Sequence, residues 1–350
     1  MGIIRLLLAV AVLHSHFPIH EDLMVVDGHE AVLAFFAISG FYMALILDQT
    51  YRSRGHFYLS RFLTLYPMYV FALLLSAGLF VSLGIHPMVA SAKLHAVLVD
   101  PAGFAVMAWT SLCLVGQEFL FCLAPATGGG LGMVAHSHGA LWSMALLPQA
   151  WSLSLELCFY ALAPFLVRLR SRQLLCLVGA SLCLKLVVIA LGGNEVSILR
   201  RFFPLEFWLF GLGILAYRLH RRLPGRARFY DLLAFALLVC MVIVADEVPD
   251  AIEPFFLPGA TLLTMPFIFR WFRRFSWDRL VGKISYPFYL VHFSVIAVFE
   301  ANFEEPLGVG ILLVSLALAV LVHCLFEPGV ALLKKRIGGR WAAAPVRVVS

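Results

Sequence analysis

Arg5 and His16 lie in the apolar segment MGIIRLLLAVAVLHSHFP with ten residues between them. At 3.6 residues per turn, eleven steps make about three turns, so on a helix both project from one face, roughly 16 Å apart along the axis. His14 is two steps from His16 and faces the other way. A guanidinium binds phosphate in fork geometry, and a neutral imidazole can take a proton from a hydroxyl. Glu156, in WSLSLELCFY, lies about a turn inside its own apolar run, at a depth similar to that expected for His16. An imidazole oriented by a carboxylate suits general-base catalysis, worth about 10²–10⁴ in rate. Equally, a buried His–Glu pair can serve only to tie two helices together. His292, in the middle of ISYPFYLVHFSV, reads as a substrate contact or as a hydrogen bond within a helix bundle. Ser39 and Gly40, in FFAISGFYM, form a small polar notch suited to close helix packing or to a substrate opening. His136 and His138 have an H-x-H spacing without further ligands, and the seven Cys show no CxxC or His/Cys ligand pattern. Neither a metal site nor a disulfide framework is indicated.

The elements that hold these residues follow from composition. Of 350 residues 62% are hydrophobic and 13% charged, with a mean hydropathy of +0.94. A soluble domain has about 45–50% apolar and about 25% charged residues, so the excess indicates an integral membrane protein. The 30 Phe spread through long runs count against a β-barrel, which needs roughly ten-residue alternating segments. Runs long enough to span a bilayer occur near 3–19, 30–48, 63–85, 151–168, 173–191, 203–219, 229–245, 255–271, 284–301 and 308–333. A further stretch, 104–123, is interrupted by Gln117 and Glu118. The N-terminal run has the charge pattern of a signal peptide, but no A-x-A-like site follows it, and it is read as the first membrane helix.

All but four of the 26 Lys and Arg fall at Arg5 or in clusters near 52–61, 168–172, 218–228, 270–283 and 334–347. The loops between them, such as HEDLMVVDGHE, ADEVPDAIEP and EANFEEP, are acidic. Cytoplasmic loops carry the excess of Lys and Arg, so the alternation places both termini in the cytoplasm, Arg5 near that face and His16 in the outer half. The parity closes with about ten transmembrane helices if 104–123 is an outer-side re-entrant or buried helix within region 86–150. The glycines of TGGGLGMVAHSHG (127–139) predict a mobile outer loop, and Trp142 and Trp151 suit an interfacial belt. The net charge of +6 is explained by this asymmetry and does not point to nucleic acid. The expected fold class is an all-α polytopic membrane protein, one transmembrane domain over 1–335 with a short cytoplasmic tail at 336–350.

These segments, in this order, resemble the acyltransferase-3 family of integral membrane acyltransferases, many of which modify cell-surface polysaccharides. The family's first helix carries an Arg and a His with ten residues between, matched by Arg5 and His16. FFAISGF (35–41), RFLTLYP (61–67), WSLSLE (151–156), ISYPFYLVH (284–292) and FEP (326–328) match its later motifs. Two positions depart from the pattern. The Asp that often precedes the first Arg is absent, and the second Arg of the family's R-x-x-R segment is Thr64 here.

The resemblance implies transfer of an acyl group, most often acetyl, from cytoplasmic acetyl-CoA or another acyl-CoA to a hydroxyl of a carbohydrate or cell-envelope glycan. The acyl-CoA would be a co-substrate, with no tightly bound cofactor. It implies donor contacts from Arg5 and Arg61, catalysis by His16 with Glu156, and a substrate pocket drawing on Ser39, Trp151, Ser152, Tyr286 and His292. The partners expected are the lipid bilayer, the acyl-CoA and the glycan, in a bacterial inner membrane. A homo-oligomer is compatible with the sequence. The main rival class is a transporter or exporter of a sugar or polysaccharide in which His16, Glu156 and His292 relay protons. A glycosyltransferase is disfavoured by the lack of a D-x-D motif in a sizeable soluble domain.

Overall fold

A computed structural model describes the chain except residues 21–25, 52, 89–99, 127, 128, 138, 194, 195, 224–227, 245–247, 250, 251, 306 and 343–350. The described residues form eleven α-helices, α1 (Gly2–His16), α2 (Gly28–Gln49), α3 (Arg54–Leu83), α4 (Pro101–Cys113), α5 (Trp151–Leu166), α6 (Ser171–Ala190), α7 (Phe203–Arg222), α8 (Arg228–Ile243), α9 (Glu253–Phe272), α10 (Ser276–Asn302) and α11 (Gly308–Ala342). Each of the ten apolar runs falls on one of α1–α3 or α5–α11. Seven spans are long and apolar enough to cross a membrane, and α1, α4 and part of α8 are shorter apolar helices. The tail expected over 336–350 is helical as far as Ala342, and 343–350 lie outside the described residues.

α2 is the central helix. Its N-terminus is capped by Asp27, whose carboxylate accepts from the His29 N–H at 2.8 Å. It packs chiefly against α7, and the approach is close because glycines face backbone on both sides. A Cβ on Gly40 would stand 2.1 Å from the Phe210 carbonyl oxygen, and one on Gly213 would stand 2.2 Å from that of Ala37. Glycine is required at both places, so close packing accounts for Gly40. Phe36 and Phe159 stack on opposite sides of Phe210, at 4.7 and 4.5 Å. α1 lies between α2 and α10, with the buried Asp278 of α10 accepting from the Ile3 N–H at 3.0 Å.

Two charge pairs are buried inside the bundle. Lys185 of α6 meets Glu206 of α7 at 2.5 Å, and Arg270 of α9 forms a forked pair with Asp231 of α8 at 2.6 Å. A buried charge without its partner is strongly destabilising, so these pairs fix which helices are neighbours.

The stretch 104–123 does not form one continuous helix. α4 has 13 residues and so is only about 20 Å long. It ends at Leu114 and Gly116, both in the left-handed region. A short 3-10 turn, Gln117–Phe121, then tucks Glu118 against α5, where the Ser154 hydroxyl donates to its carboxylate at 2.6 Å. Ser154→Ala removes a buried donor from an anion and is expected to cost about 1–3 kcal/mol. The check is thermal unfolding in detergent, with a lowered midpoint expected and an unchanged one contradicting this reading.

Part of the glycine-rich segment is ordered into strand pairing. Leu123–Pro125 and Leu131–Met133 pair antiparallel as a short hairpin, with Gly129 and Gly130 at φ 87 and 78° near its turn. His138 of the H-x-H pair lies outside the described residues. Much of the acidic loops near 20–30 and 245–254 does so as well.

Candidate active site

Three cavities with shared walls run along α1. The largest, about 670 Å³, is lined by Arg5, Arg61, Ser39, Tyr42, Glu156, Tyr160 and Tyr286. Arg273, Arg279, Lys283, Asp278 and Glu327 complete its charged wall. Its volume lies within the range of small-molecule sites, about 300–1,000 Å³. A neck of about 50 Å³ follows, sharing Arg5, Ser39, Glu156 and Tyr286 with the first cavity and adding Ser152, Val32 and Tyr289. Val32 and Tyr289 also line the third chamber, of about 280 Å³, which holds His16, Asp27, His29, Gln149, Trp151, Arg200 and Arg201. Arg5 and His16 therefore open onto the two ends of one line of cavities, as the eleven-residue spacing predicts.

The large cavity is rich in cations. Arg5 lies 6.0 Å from the Tyr42 ring and Arg61 the same distance from Tyr51. Arg61 Nε is buried with no hydrogen-bond partner among the described residues, a donor available to an anionic ligand. At the position of the missing second arginine, Thr64 Oγ1 accepts from Lys334 Nζ of α11 at 2.7 Å. An ammonium from a distant helix thus stands beside Arg61. Sequence spacing gave no sign of it, because Lys334 is read as one of a cytoplasmic cluster.

His16 is accessible in its chamber. Its ring stacks at 6.0 Å on His292, with 22° between planes, and lies 4.4 Å from Phe293. His14 is used locally, its Nδ1 accepting from the Ile19 N–H at 3.1 Å. His292 is fully buried behind His16 and lines none of the three cavities. Its Nδ1 donates to the Tyr289 carbonyl at 2.8 Å, which leaves Nε2 as a buried acceptor without a partner. Hence His292 supports the His16 ring and is not at the wall where a substrate would touch it.

Glu156 is not brought to His16. It accepts hydrogen bonds from Ser39 and, at 2.6 Å, from Tyr160, and it belongs to the neck and the large cavity. His16 lines the third chamber, so the two side chains open onto different cavities. Trp151 at the first turn of α5 is only 8% exposed, so it is a chamber wall and not part of an interfacial belt. Trp142 is likewise occupied, stacked on Phe121 at 4.9 Å. Ser152 shares a 2.8 Å hydrogen bond with the Tyr289 hydroxyl across the neck, and Tyr286 donates to the Leu65 carbonyl at 3.0 Å. The sequence reading did not single out Tyr289, Gln149 or His29.

A profile of an acyltransferase domain, the acyltransferase-3 family, matches residues 3–327 of the chain. The chain belongs to this family. It is accordingly an integral membrane acyltransferase that transfers groups other than aminoacyl groups, and the transporter reading is set aside. The match ends at Glu327, which pairs with Lys283 at 2.5 Å on the wall of the large cavity. The family's domain thus contains every one of the cavity-lining residues named above. Neither curated proteins nor solved structures gave a match.

Proposed function

We propose that this acyltransferase moves an acetyl group from cytoplasmic acetyl-CoA to a hydroxyl of a carbohydrate or cell-envelope glycan on the opposite face of a bacterial inner membrane. In this reading α1–α3 and α5–α11 make ten crossings, with both termini cytoplasmic and region 86–150 covering the outer chamber. The observation that carries it is the placement of Arg5 and His16, from one helix, on the first and last of three successive cavities that share wall residues.

The CoA phosphates sit in the large cavity, held by Arg5 and Arg61 in fork geometry with Lys334 nearby. The pantetheine arm passes the neck, where rotation of Tyr289 and Phe36 makes room, and presents the thioester carbonyl to the outer chamber. His16 takes the proton of the acceptor hydroxyl as its oxygen attacks that carbonyl. The C–S bond breaks, the acetyl ester forms, and the imidazolium returns its proton to the departing CoA thiolate. Glu156, held by Ser39 and Tyr160, shapes the neck and is a positioning residue here, not the partner of the base.

The test is CoA-thiol release by purified protein with radiolabelled acetyl-CoA and a panel of mono- and oligosaccharides. Acceptor-dependent release with label recovered in the sugar is expected. Intact acetyl-CoA with every acceptor, by protein that still binds CoA, would overturn the proposal.

A further inference from the structure

The four basic residues outside the cytoplasmic clusters are Lys93, Lys185, Arg200 and Arg201. Lys93 lies outside the described residues, and Lys185 is neutralised by Glu206. Arg200 and Arg201 remain, adjacent in a short 3-10 turn, Leu199–Arg201, that leads into α7. Both line the His16 chamber. Among the described residues no carboxylate lies within ion-pair distance of either. Among the described residues the one carboxylate lining the chamber, Asp27, is engaged in capping α2.

The cation is built into an aromatic wall. Arg201 Cζ lies 4.1 Å from the Phe121 ring and 5.1 Å from that of Trp151. One of its terminal nitrogens donates to the Ser197 carbonyl at 3.1 Å, while its Nε is buried with no partner. Two more polar atoms in the same wall are also buried and unsatisfied, Gln149 Oε1 and His29 Nδ1. Gln149 is 3% exposed, and its amide nitrogen is held by the Leu290 carbonyl at 2.8 Å, which turns the oxygen into an acceptor with nothing to accept. Buried polar groups are normally paired, so such a cluster marks a place where a ligand supplies the partners. The set asks for an anion at Arg200 and Arg201 and a hydroxyl donor at Gln149, while the Phe121 and Trp151 rings hold the Arg201 guanidinium in place.

We infer that the acceptor is an acidic carbohydrate, one carrying a carboxylate or phosphate on or next to the sugar that is acylated. This rests on the function proposed above and names its substrate class. The anionic group pairs with Arg200 and Arg201, a sugar hydroxyl donates to Gln149 Oε1, and a neighbouring hydroxyl is thereby held at His16. Two positive charges on the outer side, against the general charge asymmetry of the chain, are retained because the ligand neutralises them.

The test is binding of a galacturonic acid tetramer and of maltotetraose to the intact protein in zwitterionic nanodiscs, by calorimetry without donor. The charged tetramer is expected to bind at least tenfold more tightly and to weaken with salt. Arg201→Gln is expected to erase that advantage, Arg201→Lys to keep most of it, and Arg200→Gln, on an exposed side chain, to reduce it several-fold. Equal binding of the two sugars, or no effect of Arg200→Gln and Arg201→Gln on the charged one, overturns the inference. So does loss of sugar binding when phosphatidylglycerol enters the nanodisc, which would assign the arginines to a lipid headgroup. An acid preference without acetyl transfer would leave this site standing and remove the function above. His16-dependent transfer that ignores acceptor charge would do the reverse.

Discussion

His16→Asn is expected to lower acetyl transfer by about 10²–10⁴-fold in kcat while donor binding is kept. Among the described residues lining the chamber, His16 is the one His, Asp or Glu that is neither a helix cap nor buried in a wall. Asp27 caps α2, His29 is stacked on Trp151 at 5.7 Å, and His292 is sealed behind His16. The substitution falls at the last residue of α1, where the side chain is exposed to the cavity, so the bundle is not expected to unfold. The measurement is single-turnover transfer to a defined sugar, with CoA affinity determined in parallel. Undiminished transfer by folded His16→Asn would remove His16 as the base. Loss of CoA affinity instead would place His16 in the donor site.

The second large effect is expected at the opposite end. Hydrogen bonds to charged groups contribute about 1.5–3 kcal/mol, so Arg61→Gln should weaken acetyl-CoA binding by roughly 10- to 150-fold. Its unpartnered Nε is the reason to expect that the wild-type guanidinium is held in readiness for the ligand and not for another part of the protein. Arg5→Lys keeps a positive charge but loses the planar fork and should also bind the donor less well. In both variants the acceptor affinity should be unchanged, because the acceptor chamber lies beyond the neck. Donor affinity equal to wild type in Arg5→Lys and Arg61→Gln would move the CoA site elsewhere.

Much of this arrangement is legible in the sequence, and the places where it is not have physical causes. Long apolar runs locate the helices because, once a barrel is disfavoured, only helices satisfy the backbone inside lipid. The eleven-step spacing of Arg5 and His16 is informative because both lie on one unbroken helix, whose geometry is fixed. Glu156 is different. Which cavity it lines depends on how α5 packs against α2, seen in its hydrogen bond with Ser39, and that is tertiary. Lys334 beside Thr64 joins residues 270 positions apart, so no local pattern can show it. Arg200 and Arg201 are visible as exceptions to the charge pattern. Their purpose emerges only when Phe121, Gln149 and Trp151 are seen around them.

The central claim is that donor and acceptor approach from opposite faces of the membrane and meet through the neck between Arg5 and His16. Sealed proteoliposomes with labelled acetyl-CoA inside and sugar acceptor outside test it directly, with protein orientation read by labelling of the termini. For molecules with their termini inside, the account predicts acylated sugar outside and CoA retained within. Transfer only when acetyl-CoA and sugar share one compartment would contradict it.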